Sequence, residues 1–316
     1  MGRNAFGNTR RLGLRWTALA VFGLALGASS VAAQTPLKIL VIAGTSGDHS
    51  PMSTAGKTVL EKMGAANGFT IDYSTDHSLL NDANLEKYQV FIQLNLYPFD
   101  LSASERAAFE KFVGQGKGWV GIHAAGCAQS SWPWYSKLLG DITWVSHAAF
   151  RSGNLIFEDR NHPASKNMPA SLIIKDEWYQ FSKSPRANVR VLAKADEANY
   201  SPFNANGDHP MVWTNPAYPK TIYISIGHDP GDWTTPNYVT LVHDAIFSVA
   251  PGSTGIQDRS GARGMLGAPI TKAWKPESLV PAGILTADAR GRSLRLSASG
   301  PGTEADSYRF AIPAGR

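Results

Sequence analysis

The chain has 316 residues, with 30 Lys+Arg against 25 Asp+Glu for a formal charge of +5, and its 43% hydrophobic content is enough for a large buried core. It contains no run of five like charges and no basic stripe, which argues against nucleic acid and acidic lipid as partners. Cys127 is the only cysteine, so no intramolecular disulfide can form and the core must hold by burial alone.

The first residues carry Arg3, Arg10, Arg11 and Arg15, then the apolar run Trp16 to Ala28, then Ser29-Ser-Val-Ala-Ala33. A charged start, an apolar stretch too short to span a bilayer and a small-residue end predict a cleavable secretory signal over 1–33. Its removal takes four basic residues and no acidic ones, leaving about 283 residues with a charge of about +1. A leader without disulfides points to a periplasmic or secreted protein. No other apolar stretch approaches spanning length, so no membrane partner is expected after cleavage.

Leu37 to Ala43 is a nearly continuous apolar run, the pattern of a strand buried on both faces of a parallel sheet. The polar loop Gly44 to Pro51 follows, and Ser53 or Thr54 can cap a helix that ends near Gly64 to Gly68. Phe69 to Tyr73 and Tyr88 to Leu94 read as the next strands. Ser102 and Glu105 have capping-box spacing, and Phe109, Phe112 and Val113 form an apolar stripe. Gly114, Gly116 and Gly118 then lead into the strand Trp119 to Ile122, with His123 at its end. Strands separated by helices imply right-handed crossovers, hence an α/β fold with a parallel sheet and flanking helices.

Between Ser131 and Pro219 the pattern weakens, with short strands expected at 155–157, 172–174 and 189–192. The run Thr221 to Ile226 is a strong strand followed by Gly227-His228. Thr235 then caps a last helix with Pro236 at its first position and Val239, Val242, Ile246 and Val249 along one face. The main domain spans 34–250, the Gly-, Ser- and Pro-rich segment 251–278 reads as a linker, and 279–316 as a small β-rich tail.

Three of the eight histidines, His49, His123 and His228, follow strands within a few residues, which gathers them at one end of the sheet. Imidazoles there can ligate a metal or exchange protons with a sugar hydroxyl or an α-proton beside a carbonyl. No H-x-x-x-H, H-E-x-x-H or C-x-x-C spacing occurs, so no cofactor is fixed by motif and a divalent metal rests on the clustering alone. Glu177, beside Trp178 and Tyr179, has the setting of a general acid or base. Trp132 and Trp134, around a proline after His123, form a rigid apolar wall suited either to a sugar ring or to core packing. Asp48-His49, Asn161-His162 and Asp208-His209 each precede Ser-Pro or Pro, a theme that turn chemistry alone can produce. Cys127 lies five residues past the strand and off any tight Gly-x-Cys-x-Gly elbow, which disfavours a catalytic thiol.

Val120-Gly-Ile-His-Ala-Ala125, Trp132-Pro-Trp-Tyr135, Asp176-Glu-Trp-Tyr-Gln-Phe181, Asp208-His-Pro210, Gly227-His228 and Asp48-His-Ser-Pro51 occur in the order seen in the ThuA-like (trehalose utilisation) family, which the chain resembles over about 37–250. The resemblance implies a flavodoxin-type, class I glutamine amidotransferase-like α/β fold without that superfamily's catalytic elbow. It also implies a role in carbohydrate use, with 3-keto-glycosides among the substrates. The family's usual acidic residue shortly after His123-Ala-Ala125 is missing here, where the chain reads Gly126-Cys127-Ala128.

The expectation is a sugar-active lyase, isomerase or hydrolase working by acid/base chemistry. His123, Glu177 and His147 would be catalytic, and Asp48, His49, Trp132, Trp134, Tyr179, His209 and His228 would bind a small carbohydrate; a homo-oligomer is compatible with the sequence. The alternative is a noncatalytic carbohydrate-binding protein that keeps the cleft, which the missing acid favours and the retained histidines disfavour. A cysteine hydrolase is a third reading and requires an exposed, low-pKa Cys127.

Overall fold

The computed structural model describes residues 36–199 and 207–251 and, in the tail, the strands Ile284–Ala287, Ser293–Ser297 and Arg309–Ala311. The signal expected over 1–33 and the linker expected over 251–278, apart from Pro251, lie outside the described residues.

Strand β1 (Lys38–Ala43) is buried from Ile39 onward, because Ile-Leu-Val-Ile offers no polar face to water. Helix α1 (Ser50–Asn67) starts earlier than the sequence suggests: Pro51 suits the first turn, where its missing N–H costs nothing, and His49 is the N-cap. Ser53 caps nothing; its hydroxyl donates to the Gly44 carbonyl at 2.7 Å and ties the helix to the end of β1. Gly68, at φ 71°, closes the helix in the left-handed conformation that lacks a Cβ penalty.

Strand β2 (Thr70–Ser74), the short helix α2 (Asp82–Leu85) and β3 (Val90–Leu94) follow. Helix α3 (Ala103–Gly114) carries the full capping box of Ser102 and Glu105 and delivers the chain into β4 (Gly118–Ile122). After α4 (Pro133–Leu138) come β5 (Trp144–His147), β6 (Arg151–Phe157), β7 (Ser171–Asp176), β8 (Tyr179–Phe181), β9 (Arg190–Ala195), β10 (Pro210–Asn215) and β11 (Tyr218–Ile224). Helix α5 (Pro236–Val249) follows, and β12 (Ile284–Ala287), β13 (Ser293–Ser297) and β14 (Arg309–Ala311) form an antiparallel sheet in the three runs read from the tail sequence.

The main sheet has the order β2-β1-β3-β4-β11-β10-β9-β6-β7. Its first five strands pair in parallel, and their succession is the 2-1-3-4-5 order of flavodoxin-like doubly wound folds, with β11 as the fifth strand. From β11 outward every pairing is antiparallel, so the expected parallel sheet is only half of what forms. The segment between β4 and β11 therefore does not cross over as one helix; it adds four strands to the sheet edge. Strands β5 and β8 pair separately as a two-stranded ribbon.

Alternate residues of the parallel strands face opposite cores. Ile39 and Val41 pack with α1 and α5, whereas Leu40, Ile42 and Phe91 pack with α3 and α4. The one-sided stripe expected for α5 understates its burial: eleven of its fourteen residues are buried. The loop after β6 covers its outer side, and Asn167 donates to buried Asp244 at 2.7 Å. Thr235 is the N-cap, but its hydroxyl turns back to the Gly231 carbonyl at 3.3 Å instead of capping α5.

Gly44 sits where β1 and β3 end side by side. A Cβ there would lie 2.0 Å from the Asn95 carbonyl oxygen, a backbone atom that cannot yield cheaply. We expect Gly44→Ala to cost about 3 kcal/mol or more in denaturant unfolding, at the upper end of overpacking effects. A variant with unchanged stability would contradict this close approach.

His162 is pushed down to about 4 by burial and then by the Arg190 guanidinium. Its Nδ1 accepts the Ala164 N–H, a role open only to the unprotonated nitrogen. The folded pKa lies below the unfolded value of 6.5, so the unfolded chain binds more protons between those two values. Stability supported by neutral His162 is complete above pH 6.5 and falls as the pH drops toward 4. His162→Asn, which keeps an acceptor without titrating, should flatten the pH dependence of the unfolding free energy across that window.

Candidate functional site

Five segments at the carboxyl ends of strands build the site. His49 comes from the turn after β1, Asn95 and Tyr97 from the loop after β3, His123 from the end of β4, His228 from the loop after β11, and Asp176 and Glu177 from the end of β7. Open α/β sheets bind ligands beyond these ends at the point where strand order reverses, here between β1 and β3.

Two of these ends are strained. Asn95 (φ 53°) and His123 (φ 50°) both occupy the left-handed region, unusual for residues with a Cβ. The surroundings hold them there: the Asn95 N–H donates to the Ile122 carbonyl at 3.2 Å, and the Tyr223 hydroxyl donates to the His123 carbonyl at 2.9 Å. A sharp strand-to-helix turn is how α/β enzymes expose a nucleophile above a sheet. Here the turn carries an imidazole.

His123 is fully buried, and its Nδ1–H donates to the Ser225 carbonyl at 2.9 Å. That bond fixes the tautomer and leaves the Nε2 lone pair facing the Glu177 carboxylate at 3.4 Å. The rings of His49, His123 and His228 form a nearly equilateral triangle, with centroid separations of 5.3, 5.2 and 5.2 Å. His123 Nε2 and His49 Nδ1 are both buried without a hydrogen-bond partner. Burial, then the neighbouring His123 and His228, hold His49 down at about 3, so it is neutral at ordinary pH.

Glu177 lies beside the triangle and is part-exposed. Its carboxylate is 3.5 Å from His147 Nδ1 and 3.8 Å from His228 Nε2. Burial raises its pKa, but the neighbouring His123, and then His228 and His147, outweigh that and hold it below the usual carboxylate value. Glu177 is therefore ionised.

Asp176, fully buried, does not face the opening at all. It accepts the backbone N–H groups of Gly227 (2.7 Å), His228 (3.1 Å) and Glu177 (2.6 Å), fixing two site loops with one carboxylate. Its neighbour Asp232 is pushed well above the usual carboxylate range by burial and then by the adjacent Asp176.

The structure brings His49, His123, His147, Glu177, Tyr179 and His228 together; the Tyr179 ring lies 4.2 Å from that of His123, on the ribbon that also carries His147. Asp48 is exposed on the turn beside His49. The other expected residues sit elsewhere. Trp134 packs on Tyr218, six residues before the end of β11 and so about 20 Å along the strand from the histidine end. Trp132 packs beside it and donates its Nε1–H to Glu110 of α3 at 2.7 Å. Trp132 belongs to the core of the α3–α4 layer and part-buried Trp134 packs against it, and the sequence shows their aromatic content without showing which end of the sheet they cover. His209 stands behind the site, donating from Nε2 to the Tyr179 carbonyl at 2.7 Å while its Nδ1 meets Glu197, and Asp208 is chelated by Arg186.

Aromatic residues that the sequence does not single out lie near the histidines instead. Tyr97 lies 5.2 Å from His49 and stacks on exposed Phe99 at 4.6 Å; exposed Phe150 lies 5.8 Å from His228. Their signal was available as exposed aromatics in the loops after β3 and β5, a position legible only once strand order is known.

With this geometry in place, a family model described as "ThuA: Trehalose utilisation" matches residues 38–247. The chain belongs to the ThuA family. It is similar to a putative ThuA-like protein from Bacteroides uniformis ATCC 8492, with 30% identity over 78% of this chain and 100% of that one at a TM-score of 0.64. A second, from Parabacteroides merdae ATCC 43184, matches at 20% identity over the same shares with a TM-score of 0.57. No curated protein matches the chain. The ThuA match spans all five strand ends that form the site and stops before the tail.

Cys127 is buried, and burial pushes its thiol up to about 12. Such a thiol is neither exposed nor ionised, so the cysteine hydrolase reading loses its physical basis. Iodoacetamide near pH 6 to 8 should leave the folded protein unmodified by mass and label one site after unfolding. Labelling of the folded protein would restore the thiol to consideration.

Proposed function

We propose that the protein acts on a sugar or an oxidised sugar derivative by proton transfer, with Glu177 as the proton acceptor. The observation that carries this reading is the position of Glu177: an ionised carboxylate within 3.8 Å of three imidazole nitrogens, two of them on histidines that reach solvent. The ThuA description supports a carbohydrate substrate. The aromatic rim of Tyr97, Phe99 and Phe150 supports it too, since flat apolar rings stack on the C–H faces of sugars. The leader read over 1–33 supports a periplasmic or secreted site of action.

A 3-keto-glycoside suits this arrangement. Its C2 proton is acidic beside the C3 carbonyl; Glu177 removes it, the electron pair forms the C1–C2 double bond, and the glycosidic C1–O bond breaks. The departing alkoxide takes a proton from His147, whose ring reaches solvent and which Glu177 then reprotonates, so the step balances without an oxidant. His123, fixed by Ser225 and facing Glu177, completes the polar wall.

A screen of glycosides and 3-keto-glycosides should find one class turned over, with a new unsaturated product for the keto sugars. Glu177→Gln should lower turnover by about 100-fold or more, the usual contribution of a general base, with thermal unfolding unchanged. His123→Ala should abolish it. Wild-type rates in either folded variant would sink this assignment. Tight sugar binding without turnover by the unaltered protein would establish the noncatalytic reading instead.

A further inference from the structure

We propose that His49, His123 and His228 form a binding site for one divalent transition-metal ion of the zinc class, with a fourth position open toward Glu177. The proposal shares its site with the reading above but does not depend on a sugar being the substrate.

Geometry carries it first. One ligand nitrogen from each histidine lies within 4.8 Å of the other two. A triangle of that edge has its centre about 2.8 Å from each corner, against about 2.0–2.1 Å for a zinc–imidazole bond, so each ring needs to close in by less than about 1 Å. The three residues come from three strand ends, so no single turn or helix produces the cluster by local sequence.

The second observation is chemical. His49 Nδ1 and His123 Nε2 are buried polar atoms without a partner, each of which costs stability if left so. Moreover, the Nε2 of His123, left without its own proton by the bond from Nδ1, faces the Glu177 carboxylate at 3.4 Å with no donor between them. A cation in the triangle takes the lone pairs and gains the attraction of Glu177. His123 also shows the support expected of a metal ligand: its other nitrogen donates to a backbone carbonyl, setting the tautomer and the ring plane. Asp176 performs the matching task for the loop of His228 through the backbone.

The donor set selects the ion. Three imidazole nitrogens suit zinc and its neighbours; calcium and magnesium want six or more oxygens, or several retained waters. Three protein ligands and an open position make the pattern of catalytic zinc, in which the metal acidifies a bound water or sugar oxygen. Glu177 lies within reach of that position as the group that takes the proton. His147, 3.5 Å from Glu177, stands outside the triangle and serves as an internal control.

The test is calorimetric titration of the purified, chelator-treated full-length protein with zinc, cobalt and calcium chlorides, together with metal analysis of protein as isolated. We expect one equivalent of zinc or cobalt to bind, a raised melting temperature, no calcium binding, and cobalt absorption bands of a four- or five-coordinate ion. His49→Gln, His123→Gln and His228→Gln should each weaken zinc binding by about 100-fold or more, since even loss of an outer-shell partner costs 10–100-fold. His147→Gln should bind within about threefold of the unaltered protein, because no lost ligand is involved. His228 is part-exposed, so its variant tests the site even if the buried histidine variants fail to fold. No stoichiometric binding, or equal affinity in the His228 and His147 variants, would overturn the proposal. The readout is binding and not turnover, so it stands or falls separately from the sugar assignment.

Discussion

The buried carboxylate of Asp176 is the contact on which the site depends. It ends β7, at the outer edge of the antiparallel half, yet accepts N–H groups from Gly227 and His228 beyond the end of β11. Three strands lie between β7 and β11, so a flat sheet would hold those ends about 19 Å apart at 4.8 Å per strand. The hydrogen bonds of Asp176 show that the gap is closed, and they fix the result. A carboxylate so far from water is tolerable because three backbone donors point at it. Through the same carboxylate, the adjacent Glu177 is held against His123.

The antiparallel half thus has a task that the parallel half cannot perform. The flavodoxin-like strands bring three histidines together, since β1, β4 and β11 all end at one edge of the sheet. They supply no acid to that group. Glu177 and Tyr179 arrive from β7 and β8, with His147 from the paired β5, so the carboxylate, the ring under His123 and the exposed imidazole belong to the inserted segment. The site is assembled from two sheet halves with different topologies, and the strained turn at His123 aims the parallel half's contribution at the other's.

The parallel half was legible because its residues obey local rules. An apolar run such as Ile39 to Ala43 has one physical solution, a strand buried on both sides, and the Ser102–Glu105 box marks a helix start by hydrogen bonds within four residues. The histidines followed from where those strands stop. The antiparallel half obeys longer-range rules. Strand β10 opens with Pro210 and is buried throughout, which a turn-rich reading of Asp208-His-Pro hides, and β5 and β8 are four and three residues long. Trp132 and Trp134 show the same limit. A tryptophan that packs a core and one that stacks a sugar are alike in sequence, and only the register of β11 puts this pair at the far end. Asp176 and Glu177 are adjacent acids with opposite tasks, one inward and one outward, a distinction set by the alternation of β7 and by what lies over it.

The acid absent after His123-Ala-Ala125 weighs less in this setting than it does in the sequence. Gly126 has no room for a side chain: a Cβ there would lie 1.9 Å from the Tyr223 hydroxyl, which is itself committed to the His123 carbonyl. Cys127 is buried, and burial pushes even its thiol up to about 12, so a carboxylate in its place would lose its hydration at a cost. Glu177 already puts a carboxylate 3.4 Å from His123 Nε2 and ionised. The argument for a cleft that has lost its chemistry rests on an acid missing from one loop. A second acid, reaching the same imidazole from the other half of the sheet, removes most of that argument's force.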